Sequence, residues 1–212
     1  MHFLCLHGAG ANSLIFELQT AALRYELGGG HTYDFVEGVV VEQRAYGVES
    51  LATSKDLCFA YYKPHCAESF NEAVENLERY LKTDGPFDGV IAFSQGVSLA
   101  TAILVDKLKL QESGLRCGIF FCGRLPFIDA GAPHVSSDHT NTGRMTIEIP
   151  TVHIWGGKDD IEPGHALALR KICCPERSHT YIHGGGHEVP GPRDKGGLVE
   201  SANAIRSMLA RL

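Results

Sequence analysis

Apolar and polar positions along the 212-residue chain change period repeatedly, and each change marks a new element. Short runs of β-branched, aromatic and other apolar residues predict strands over 2–7, 33–37, 88–93, 116–122, 151–155 and 179–183. Between them apolar residues recur at threes and fours, which predicts helices over 13–27, 67–83, 96–110, 163–173 and 196–211. The last helix carries Leu198, Ala202, Ile205, Leu209 and Leu212 as one stripe, and 67–83 carries Phe70, Ala73, Val74, Leu77 and Leu81. Gly85-Pro86 ends the latter. Strands alternating with helices at this spacing call for βαβ units. The expected fold class is α/β, a mostly parallel sheet of about six strands flanked by helices.

Two stretches keep neither period. Residues 38–66 hold Phe59, Tyr61 and Tyr62 close together, and residues 123–150 run through Pro126, Pro133 and a polar tract, Ser136-Ser137-Asp138-His139-Thr140-Asn141. Loops this long either wall a substrate pocket or are plain surface excursions, and both readings stand. Aromatics in 57–62 and Leu125-Pro126-Phe127-Ile128 favour an apolar acyl pocket.

The totals narrow the function classes. The length suits one domain over 1–212 with a sizeable core and no separate cap domain. A net charge of −6 and no long basic run give nucleic-acid binding little electrostatic support. The run Met1-His2-Phe3-Leu4-Cys5-Leu6 is short, lacks a basic leader and breaks into glycine. It is expected to be a core strand rather than a signal peptide or membrane span, which favours a cytoplasmic protein. Seven cysteines without a C-x-x-C pair predict neither a disulfide framework nor a zinc knuckle. Cys5, Cys117 and Cys122 fall in apolar runs and read as small core hydrophobes.

The chemistry starts at Ala92-Phe93-Ser94-Gln95-Gly96, between a buried strand and a helix. A serine among small residues at such a junction describes a nucleophile elbow, G-x-S-x-G, here with alanine for the first glycine. Serine needs a base, and the base needs an orienting acid. Gly157-Lys158-Asp159-Asp160 follows the strand 151–155, and Gly184-Gly185-Gly186-His187 follows the strand 179–183. The order Ser, acid, His, each after its own strand, is that of the α/β-hydrolase plan. Asp159 and Asp160 both remain open as the acid at this point. Leu6-His7-Gly8-Ala9-Gly10 ends the first strand with a loop suited to an oxyanion. The expected donors are the N–H of Gln95 and that of Ala9 or Gly10. His7 is expected to brace this loop.

Two rivals explain less. Gly8-x-Gly10 lacks the third glycine of a dinucleotide fingerprint, because position 13 is Ser13. His179, His183 and His187 recur every fourth residue, but a strand followed by three glycines would not converge them on a metal.

Taken together, these segments resemble the FSH family of serine hydrolases, a branch of the α/β-hydrolases best represented in fungi. The resemblance rests on Leu4-Cys5-Leu6-His7-Gly8-x-Gly10-x-Asn12-x-x-Ile15-Phe16-x-x-Gln19, on Gly85 to Gly96, on Gly156-x-x-Asp159-x-x-x-Pro163 and on His183-x-Gly185-Gly186-His187-x-x-Pro190. It implies Ser94 as nucleophile, His187 as base and Asp159, through the family's register, as the acid. It implies no cofactor or metal, and a small-molecule acyl ester or thioester as substrate. Fungal members are often associated with polyketide pathways, so an acyl carrier protein is an implied partner. Two departures fall on the pocket wall: Glu37-Gly38-Val39 stands where acid-Gly-Pro is expected, and Cys122-Gly123 where Ser-Gly is expected.

Overall fold

The computed structural model describes residues 1–51, 53, 55–126 and 146–212. In chain order the elements are β1 (His2–Leu6), α1 (Ser13–Leu27), β2 (Thr32–Val36), β3 (Val40–Glu42), β4 (Cys58–Ala60), α2 (Ala67–Asp84) and β5 (Gly89–Phe93). There follow α3 (Gln95–Leu104), α4 (Lys107–Ser113), β6 (Cys117–Phe121), β7 (Thr151–Gly156), α5 (His165–Arg170), β8 (Ser178–His183) and α6 (Lys195–Leu209). Six strands form one sheet in the order β2-β1-β5-β6-β7-β8, and every pairing is parallel.

Alternate residues of each strand enter opposite cores. Leu4, Leu6, Val90, Ala92 and Phe120 pack with α2 and α3 through Phe70, Leu77, Val97 and Ile103. Phe3, Cys5, Ile91, Phe93 and Ile154 pack on the other face with α1 and α6 through Phe16, Leu23, Leu198 and Ile205. Burial on both faces explains why β5 and β6 read as continuous apolar runs rather than as alternation.

Three sequence expectations are corrected. The helix expected over 96–110 is two helices, because the Asp106 carboxylate accepts the N–H groups of Leu108 and Lys109 and starts a new one. The helix expected over 163–173 is confined to α5. Residues 38–66 hold an antiparallel ribbon of β3 and β4, which the sequence reading left unassigned. Most of 123–150, including Phe127 and Ile128, lies outside the described residues. Among the described residues no helix is long and apolar enough to cross a membrane.

The order of strands reverses beside β1: the chain first moves from β1 to β2, then returns to place β5 on β1's other side. The crevice beyond the carboxyl ends of β1 and β5 is therefore where such a sheet binds ligands.

Candidate active site

Ser94 stands at that crevice, between β5 and α3. Its backbone is left-handed, with φ 49° and ψ −112°, a conformation that costs a non-glycine residue of order 1–3 kcal/mol and is found where function requires it. Gly96 makes the turn sterically possible. A β-carbon there would lie 2.5 Å from the Leu6 carbonyl oxygen and 2.7 Å from that of His7, so a side chain would push α3 off β1. Ala92 needs no such clearance. It is wholly buried, in register with Leu6 and Phe120, and its methyl is part of the core.

The other two predicted side chains meet Ser94 from neighbouring strand ends. His187 Nε2 lies 2.9 Å from Ser94 Oγ, and His187 Nδ1 lies 2.8 Å from Asp159 Oδ2. A carboxylate can only accept, so Nδ1 carries the proton and Nε2 is left to accept from the serine hydroxyl. Asp159 Oδ1 accepts the N–H groups of Ile161 and Glu162 at 3.2 and 3.1 Å. Burial works against the charged Asp159, but the bond from His187 and those from the Glu162 and Ile161 N–H groups outweigh it, holding the carboxyl below its usual range. The His187 and Asp159 side chains are only 9% and 8% exposed, so their mutual bond is poorly screened by water. Asp160 is exposed at the rim.

The glycine loop after β1 is held from several sides. His7 is wholly buried; its Nδ1–H donates to the Gly8 carbonyl, its Nε2 accepts from Gly38 N–H, and its own N–H donates to the Tyr61 hydroxyl. Gly10 differs from its expected role. Its N–H donates to Phe59 O at 3.0 Å, so it is spent on β4 and turned away from Ser94. Among the described residues, the N–H groups of Ala9 and Gln95 have no backbone acceptor, and both residues line the cleft with Ser94. The Gln95 side chain is tied elsewhere, accepting from Tyr61 N–H and donating to Tyr62 O.

The cleft is about 400 Å³ and includes Tyr46, Val48, Phe93, Ser94, Ile161 and His187 in its lining. Arg124 and Glu162 pair across it at 2.7 Å. Of the three recurring histidines, only His187 reaches the site. Among the described residues, the group close enough to share an ion with it is Cys122 and Asp159, not His179 or His183. The sequence reading took Cys122 as a core hydrophobe and assigned its departure from Ser-Gly to the pocket wall; the structure puts it instead beside Asp159 and His187. The available signal was its place at the end of β6, between the strands that deliver Ser94 and Asp159.

A parallel sheet with a strained serine after its central strand, an acid after β7 and a histidine after β8 defines an α/β-hydrolase. The sequence model of the FSH1 serine hydrolases matches residues 1–196, and the chain belongs to that family. It is 38% identical over 196 residues to the esterase FPY3 of Fusarium mangiferae, covering 90% of this chain and 88% of that one. An esterase of Caenorhabditis elegans, C25G4.2, is 28% identical over 90% of this chain and 86% of its own. Among solved structures, the Bacillus cereus carboxylesterase superposes with a TM-score of 0.63 at 16% identity, covering 97% of this chain and 87% of that one. Acyl-protein thioesterase 2 of Zea mays gives 0.61 at 16%, covering 98% and 93%. Family and fold thus make the chain a serine hydrolase.

Proposed function

We propose that the protein cleaves a small acyl ester or thioester through an acyl-Ser94 intermediate. The observation that carries this reading is the unbroken run of hydrogen bonds from Asp159 through His187 to Ser94, at 2.8 and 2.9 Å. His187 Nε2 takes the Ser94 proton as Oγ attacks the acyl carbon. Asp159 holds the imidazole in the tautomer this requires and stabilises the imidazolium that forms. The oxyanion is received by the N–H groups of Gln95 and Ala9, donors worth roughly 3–4 kcal/mol each where such groups have been removed. The imidazolium then protonates the leaving alkoxide or thiolate. Water, deprotonated by the same imidazole, releases the acid.

Ser94→Ala tests the reading. Turnover of p-nitrophenyl butyrate is expected to fall by about 10⁴-fold or more in a variant that still folds. A fluorophosphonate is expected to label Ser94 in the native chain and nothing in the variant. Retention of most of the turnover would overturn the assignment and leave an acyl-binding module on the same fold. Release of a polyketide from an acyl carrier protein uses the same acyl-enzyme. Butyryl and hexanoyl esters set against the matching thioesters, free and carrier-bound, separate the two substrate classes.

A further inference from the structure

The thiol of Cys122 lies where none of the assigned roles requires a polar group. β5, β6, β7 and β8 are consecutive neighbours in the sheet, and the segments after three of them deliver Ser94, Asp159 and His187. The end of β6 delivers Cys122. Its backbone, like that of Ser94, is left-handed at φ 45°, which turns the side chain out of the strand's regular alternation. The residue is 1% exposed, and its N–H donates to the Ile154 carbonyl on β7.

From that position Sγ touches both loops of the Asp159–His187 pair. The S–H donates to the carbonyl of Glu188, the residue directly after the histidine, at 3.6 Å. Sγ lies within 4.8 Å of an Asp159 carboxylate oxygen and of a His187 ring nitrogen. Burial, followed by the neighbouring Asp159 charge, pushes the thiol up to about 12, so it is a neutral donor and not a thiolate. Below it the backbone of β7 meets the histidine loop directly, since a β-carbon on Gly156 would fall 2.2 Å from Gly186 O. A side chain at position 156 is thus excluded, and Cys122 bonds to the histidine loop from the β6 side.

We infer that Cys122 is a positioning residue, its S–H bond to the Glu188 carbonyl holding the His187 loop in register with Asp159. The inference rests on the acyl-serine reading above and assigns it a fourth member that touches neither substrate nor Ser94. It also accounts for the departure from Ser-Gly at this position, because a serine hydroxyl would supply the same kind of donor.

The test compares Cys122→Ala, which removes the donor, with Cys122→Ser, which keeps it. For the alanine variant, kcat on p-nitrophenyl butyrate is expected to fall about tenfold with KM within about twofold, as for loss of a group that orients the transition state rather than binds substrate. The rate constant of fluorophosphonate labelling is expected to fall by the same factor, and serine to recover most of both. In an Asp159→Asn background the alanine change is expected to cost almost nothing more, because groups acting as one unit are not additive. A folded alanine variant with native kcat and labelling rate would overturn the assignment, as would a serine variant no better than alanine. Should the alanine variant fail to fold, the serine variant decides alone. Activity within about threefold of native supports the donor role, and a folded serine variant with a larger loss overturns it. A native chain that the fluorophosphonate does not label would instead overturn the hydrolase reading itself, so the two failures are distinct.

Discussion

At Asp159 two opposing effects meet. Partial burial raises the cost of its charge, while three hydrogen bonds lower it, and the balance keeps the carboxyl ionised below its usual range. A carboxyl with a depressed folded value contributes stability above the ordinary pKa of about 3.9, and that contribution is lost as pH falls through the lower folded value. Asp159→Asn is therefore expected to lower Tm at pH 7, with the gap to the native chain closing below about pH 4, as followed by thermal melts across pH. The same variant is expected to lose turnover by about 10⁴-fold through the wrong imidazole tautomer, while Asp160→Asn stays near native. Equal losses in both would contradict the geometry. Sequence alone left these two neighbours open, since each follows the strand equally well and only the family register separated them. What separates them in space is the turn at Ile161 and Glu162, whose N–H groups face one carboxylate. Gly10 illustrates the converse. Two adjacent loop N–H groups look alike in a sequence, and the carbonyl of Phe59 that captures one of them comes from a distant strand.

Among the elements, long periodic segments were legible and short ones were not. α1, α2 and α6 fall close to their expected bounds because each buries one stripe over many turns. β3 and β4, with three residues each, are too short to show a period. The break between α3 and α4 was masked because apolar spacing continues across Asp106, and only the carboxylate cap gives it away. β7 carries a consequence for pH. His153, 1% exposed, lies against Phe120 with Nε2 3.0 Å from Thr151 Oγ1, and burial, aided by Arg170, pushes it down to about 3. The unfolded chain takes up that proton near pH 6.5 and the folded chain does not. Stability therefore declines as pH drops from about 6.5, by as much as about 1.4 kcal/mol per unit from this residue. Denaturant melts between pH 7 and pH 4 are expected to show a shallower decline for His153→Gln. An unchanged slope would mean that the ring is charged in the fold.

The molecule as a whole carries a net charge of −6. Among the described residues, the lining of the cleft beside Ser94 holds Asp160, Glu162 and Glu188 against one arginine, Arg124. An ester bearing a carboxylate is thus expected to show a kcat/KM about three- to tenfold below a neutral ester of equal length at low ionic strength, the gap narrowing as salt screens the rim. Steady-state kinetics at two salt concentrations check this, and a preference for the anionic ester would contradict it. The cleft's wall has a further property. Ala45 N–H bonds to Gly10 O, Phe59 N–H to Ala11 O, and Gly10 N–H to Phe59 O, so the stretch from 45 to 59 leaves and rejoins the molecule at one stapled seam. Tyr46 and Val48, which it contributes to the wall, lie inside that seam, while Ser94, Asp159 and His187 lie outside it. Val48 and Cys58 of that stretch also pack on Ala11 and Ile15, so new wall side chains there need a matching surface at the start of α1.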